Sequence, residues 1–99
     1  MATAGPSFLM FQLINIFKYM FYVYILRSIN FSEKIYVGYT IDIKIRLEVH
    51  NDGGSVYTTK YKPWKLSGYV AFLEQTKAIA FEKYLKSGAG KAFAKKHFL

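Results

Sequence analysis

At 99 residues, 53% of them hydrophobic and 19% aromatic, the chain holds enough apolar material for one folded domain, is too short for a second, and is too apolar for a disordered tail. It has no cysteine, which removes disulfide scaffolds and cysteine-ligated zinc and leaves the redox compartment open, with the cytoplasm as the default. Fourteen Lys and Arg against six Asp and Glu leave a net charge of +8, a positive field that draws polyanions; nucleic acid is the expected partner, and a basic soluble protein without one is the alternative.

In chain order, residues 7–26 are nearly long and apolar enough for a bilayer-spanning helix. Gln12, Asn15 and Lys18 interrupt the run, and a charge near the centre of such a helix costs about 3 kcal/mol. No basic stretch precedes it and no small-residue cleavage site follows, so a secretory signal is not expected, nor is a membrane anchor. The expected organisation is an N-terminal extension over 1–19, poorly ordered or lying ahead of a true start at Met20, and a single domain over 20–99.

Residues 20–27 are β-branched and aromatic and read as a strand. Ser28 to Glu33 is a short polar connection, and Lys34 to Tyr39 is a partner strand with Gly38 inside it, the mark of a bulge or of a close approach to the backbone. Residues 41–49 alternate apolar and charged like a half-buried strand. Thr40 as a cap, Asp42 in a first turn and Ile41, Ile45 and Val49 at helical spacing argue for a helix; the pattern alone slightly favours the strand. Asn51-Asp52-Gly53-Gly54 ends the element in either case. Ser55 to Pro63 reads as an exposed loop, and Trp64 to Leu73 as a strand interrupted at Ser67-Gly68. Thr76 to Ser87 reads as a helix capped by Thr76 and stopped by Gly88, and a short basic helix follows from Lys91. The C-terminal stretch is strongly cationic: Lys83, Lys86, Lys91, Lys95 and Lys96 occur there without an acid.

Few residues here are suited to chemistry. Tyr24 and Tyr36 fall on neighbouring strands, either as a cross-strand aromatic pair or as a reactive pair, since a phenol with pKa about 10 becomes a base only if its surroundings activate it. Arg46 and His50 are four apart, a fixed cation beside a titratable imidazole; that suits phosphate chemistry or, equally, a solvated face. Glu82 falls at the edge of its helix's apolar face, where a carboxylate pairs or holds a cation. One carboxylate plus phosphate oxygens is a normal Mg²⁺ site, and Lys86 offers the competing i,i+4 ion pair. Gly53-Gly54 lacks the Lys-Ser or Lys-Thr of a phosphate-binding loop.

Taken together, Tyr22-Val23-Tyr24, Tyr36-Val37-Gly38, Arg46, His50-Asn51 and Glu82 stand in the order found in the GIY-YIG nucleases, which this chain resembles over residues 20–98. Among them it looks most like the small stand-alone bacterial members. Tyr22 replaces the first glycine of the leading tripeptide, and valines at 23 and 37 replace isoleucines. The resemblance implies an α+β fold, a three-stranded antiparallel sheet flanked by helices in the order β-β-α-β-α-α, and so makes 41–50 a helix. It further implies a metal-dependent endonuclease acting on DNA and possibly RNA in repair or recombination. A lone domain with no attached DNA-reading module has few groups to read bases, so selectivity for structure with little sequence preference is expected. A nucleic-acid-binding module of the same fold without activity is the alternative.

By position, Tyr24 would be the base or water-positioning group, supported by Tyr36. Arg46 would stabilise the phosphorane, His50 would orient the nucleophile or relay a proton, and Glu82 would hold Mg²⁺ or Mn²⁺. Gly38, Asn51, Lys60, Lys62, Lys86 and Lys91 are the candidate substrate contacts, with no small-molecule cofactor expected.

Overall fold

The computed structural model describes residues 8–10, 12–13 and 20–99. Residues 8–10 and 12–13 are helical and exposed; most of the expected 1–19 extension lies outside the described residues. Among the described residues, no helix is long and apolar enough to cross a membrane.

Three strands carry the fold: β1 (Phe21–Ser28), β2 (Ile35–Thr40) and β3 (Trp64–Phe72). They form one antiparallel sheet in the order β2-β1-β3, so the first strand is central. Its β-branched and aromatic composition suits that place, with Val23, Tyr24, Ile25 and Leu26 all buried. Alternation along the strand sends these side chains to opposite faces. Val23 and Ile25 join Ala78, Leu85 and Ala94 in one cluster, while Tyr24 and Leu26 join Trp64 in another. Opposite Ile25 and Leu26 the register jumps from Gly68 to Leu66. Ser67 is thus an extra residue, and the interruption expected at Ser67-Gly68 is a β-bulge.

Four helices complete the described domain: α1 (Ile43–Asn51), α2 (Val56–Lys60), α3 (Gln75–Leu85) and α4 (Gly88–His97). The α+β class and the flanked three-stranded sheet are as expected, but the order is β-β-α-α-β-α-α, because α2 lies in the stretch expected to be loop. Ser55 and Thr58 close a reciprocal capping box there, each side chain bonding the other's backbone N–H.

The alternation favouring a strand over 41–49 is overruled. Asp42 caps α1 by accepting from Ile45 N at 3.0 Å. The buried stripe is Ile43 and Leu47, packed on the Tyr24 cluster, whereas Ile41, Ile45 and Val49 face solvent. With apolar residues on two sides, the helix looks like an alternating strand in sequence. Two cap assignments also shift: α3 starts after Glu74 rather than at Thr76, and Gly88 opens α4 instead of only ending α3.

Candidate active site

Tyr24 lies directly across from Gly38 in the β1–β2 pairing. A Cβ at position 38 would run into the Tyr24 phenol, so glycine there gives the ring its space. Tyr36, two residues before Gly38, lies 6.2 Å from Tyr24 between ring centroids, with the planes 30° apart. A one-residue register slip would send either ring to the opposite face of the sheet.

Packing of Ile43 and Leu47 turns the inner face of α1 toward this pair, and with it Arg46 and His50, one turn apart. His50 is 2% exposed, and its Nε2 lies 2.9 Å from the Tyr24 hydroxyl. The Tyr36 ring sits 4.4 Å from the imidazole, so the three rings form one cluster.

Burial pushes the Tyr24 phenol above its ordinary pKa. A hydrogen bond from Arg46 and that residue's charge oppose this, while the charges of Tyr36 and Glu82 add to it. Burial, reinforced by the Arg46 charge, lowers the pKa of His50. Both groups are therefore neutral at neutral pH, and where Nδ1 carries the ring proton the phenol O–H donates to the free Nε2. Arg46 Nε and His50 Nδ1 are buried beside this contact without a protein partner. An unpartnered guanidinium N–H is the kind of donor that an incoming phosphate oxygen satisfies.

Asn51 is engaged elsewhere. Its Oδ1 accepts from Trp64 N at 2.6 Å and its Nδ2 donates to Trp64 O at 3.2 Å, fastening the end of α1 to the start of β3. Trp64 in turn donates from Nε1 to Thr58 O at 2.8 Å, which ties α2 to the same cluster.

Glu82 stands on α3, the helix packed on the sheet's other face, yet its charge still reaches Tyr24. Its side chain is 23% exposed and pairs with Lys86 at 3.3 Å, the i,i+4 contact open from the sequence. No group of three or more His, Cys, Asp or Glu able to hold a metal occurs among the described residues. A divalent ion at Glu82 would therefore take one protein carboxylate and draw its other ligands from water and phosphate. Mg²⁺ accepts such a set, so a half-buried carboxylate fits it.

Lys86 and Lys91 line one groove together with Tyr36, whereas Lys60 and Lys62 are not among its lining residues. Lys60 instead lies over the Tyr61 ring, 5.4 Å from its centroid. The sequence reading missed Tyr57, which stacks on Trp64 at 5.9 Å and lies 6.4 Å from Tyr36. The Ser55-x-x-Thr58 capping signature was the available signal that this stretch is ordered.

The fold accords with a family comparison: residues 20–96 match the GIY-YIG catalytic domain, and the chain belongs to that family of nuclease domains. It is also similar to small bacterial proteins. One, a UPF0213 protein of Streptococcus pneumoniae, is 38% identical over 66 residues, 66% of this chain and 65% of its own length. Another, a UPF0213 protein of Pediococcus acidilactici, is 35% identical over 74 residues, 72% of this chain and 74% of its own length. The chain thus spans just under two-thirds of the Streptococcus protein.

Proposed function

We propose that the chain is a metal-dependent endonuclease that hydrolyses phosphodiester bonds in DNA, recognises structure more than sequence, and serves repair or recombination in the cytoplasm. The observation that carries this is the buried Tyr24–His50 hydrogen bond with Arg46 alongside.

A neutral phenol of raised pKa is a poor base by itself. The hydrogen bond gives its proton somewhere to go. Tyr24 takes a proton from the attacking water while passing its own to His50 Nε2. The water oxygen bonds to phosphorus, the P–O bond to the leaving oxygen breaks, and that oxygen takes a proton from solvent. Arg46 neutralises charge that builds on the non-bridging oxygens, and it also disfavours a lasting imidazolium, so His50 releases its proton for the next cycle. Tyr36 packs against both rings and fixes their orientation. A divalent ion held by Glu82 would supply Lewis-acid stabilisation of the phosphate and leaving oxygen.

Low sequence preference follows from the cations. Only Arg27 and Arg46 are arginines. Arg27 is bonded to Ser32 O at 2.7 Å and Arg46 belongs to the site, which leaves lysines, point charges suited to phosphate.

The test is cleavage of labelled duplex, single-stranded, flapped and four-way-junction DNA with Mg²⁺ or Mn²⁺, native chain against Tyr24→Phe. Native cutting on branched substrates, reduced about 10²–10⁴-fold in the variant, supports the reading. Binding without cutting on every substrate would leave an inactive basic module.

A further inference from the structure

A groove of about 920 Å³ runs along the β2 edge of the sheet, bounded by Tyr57 on one side and by the end of α3 and one face of α4 on the other. Its charge is one-sided. Arg27, Lys34, Lys86, Lys91 and Lys95 line it against a single acidic side chain, Glu33. Lys91 and Lys95 stand one turn apart on α4, and among the described residues neither forms an ion pair. The groove meets the catalytic cluster at Tyr36, whose ring is 4.4 Å from that of His50. Lys86 adds a second link, since it pairs with Glu82.

Its aromatic residues narrow the kind of ligand. Tyr57 is 40% exposed, yet its hydroxyl donates to Ile35 O at 3.1 Å and its ring packs on Trp64. A ring held this way is a stacking platform, and bases inside a duplex have no free face to offer it. The groove is also the size of a pocket for a drug-sized molecule, room for a few nucleotides of one strand.

We propose that this groove is the track for an unpaired nucleic-acid strand, whose phosphates lie along Lys34, Lys91 and Lys95, with one base stacked on Tyr57. The strand is thereby led past Tyr36 into the site. The substrates this selects are junctions with a single-stranded arm. The inference deepens the proposed function and rests on it for where the cut falls, but strand binding is measurable without cutting.

The experiment is fluorescence anisotropy in chelator, with labelled oligothymidylate, oligouridylate and a duplex of equal length, each roughly 4–16 nucleotides. The variants are Lys91→Ala/Lys95→Ala, Tyr57→Leu, and the exposed control pair Lys44→Ala/Lys65→Ala, which removes the same charge outside the groove. The native chain is expected to bind a single strand more tightly than the duplex, and the two sugars separate DNA from RNA as its source. Removing Lys91 and Lys95 should weaken single-strand binding about tenfold or more and flatten the log–log salt dependence by about 1.4, at about 0.7 per phosphate contact. Tyr57→Leu should weaken it by about tenfold, the loss of one stacked base. The inference is overturned if the groove pair binds as the native chain does, if the control pair loses as much, or if the duplex binds as tightly. Groove-dependent binding without any cleavage would sink the nuclease reading alone. Cleavage with no groove dependence in binding would sink the strand track alone.

Discussion

Tyr24 and His50 each sit in the protonation state that the other makes useful. Burial keeps the phenol protonated and the imidazole free, and in the proposed mechanism the 2.9 Å contact between them is the path by which one proton moves as another is taken up. Because the His50 pKa is below its ordinary value of about 6.5, kcat/KM should rise with pH through a limb below that value and stay flat above neutrality. His50→Ala should remove the limb and lower the rate about 10²–10⁴-fold. The same shift has a stability consequence. Below about pH 6.5 the unfolded chain protonates this histidine while the folded chain resists, so the unfolded state binds more protons and stability falls as pH falls. Thermal melts between neutral pH and mildly acidic pH should show that loss, and His50→Gln should blunt it. Tyr24→Phe keeps the ring but leaves His50 Nε2 unpartnered, for an expected loss of about 1–3 kcal/mol in urea unfolding. Of these residues, Tyr24, Arg46, His50 and Glu82 were legible by type and order. Their protonation states were not, because those depend on burial and on a neighbour 26 positions away.

Among the elements, the three strands were legible because their β-branched and aromatic runs are local signals. Helix α1 was not legible from its own pattern, since its buried stripe is defined by what Ile43 and Leu47 meet. Helix α2 was hidden by its brevity, and Tyr57 with it. Two glycines hold elements at close quarters. Gly38 makes room for Tyr24, and a Cβ at Gly90 would collide with the Tyr84 carbonyl and the Leu85 backbone where α4 meets α3. Alanine at either site should destabilise by about 1–3 kcal/mol, the usual range for overpacking. The two should differ in activity, because G38A displaces the Tyr24 ring whereas G90A disturbs a contact away from it. Asn51→Ala should likewise destabilise by about 1–3 kcal/mol, since it strips the Trp64 amide and carbonyl of their partners. If its stability is unchanged, the tie between α1 and β3 is not what holds this wall of the site.

For the whole molecule, the +8 charge was plain in the composition, while its arrangement became visible only in the fold. Lys34 comes from the β1–β2 connection, Lys86 caps the end of α3, and Lys91 and Lys95 stand on α4; packing of these helices against the sheet places the four on one groove. Affinity for any nucleic acid should therefore fall steeply as salt rises, while the pH limb of the chemical step stays in place. The central claim is that one site, built from Tyr24, His50, Arg46 and Glu82, hydrolyses phosphodiesters with a divalent ion. The most direct test is single-turnover cleavage of a flapped DNA with Mg²⁺ or Mn²⁺, comparing the native chain with Glu82→Ala prepared in the same way. Metal-dependent cutting that disappears in the variant while DNA binding persists is the predicted result. Cutting that survives Glu82→Ala at the native rate would contradict the assignment of the site.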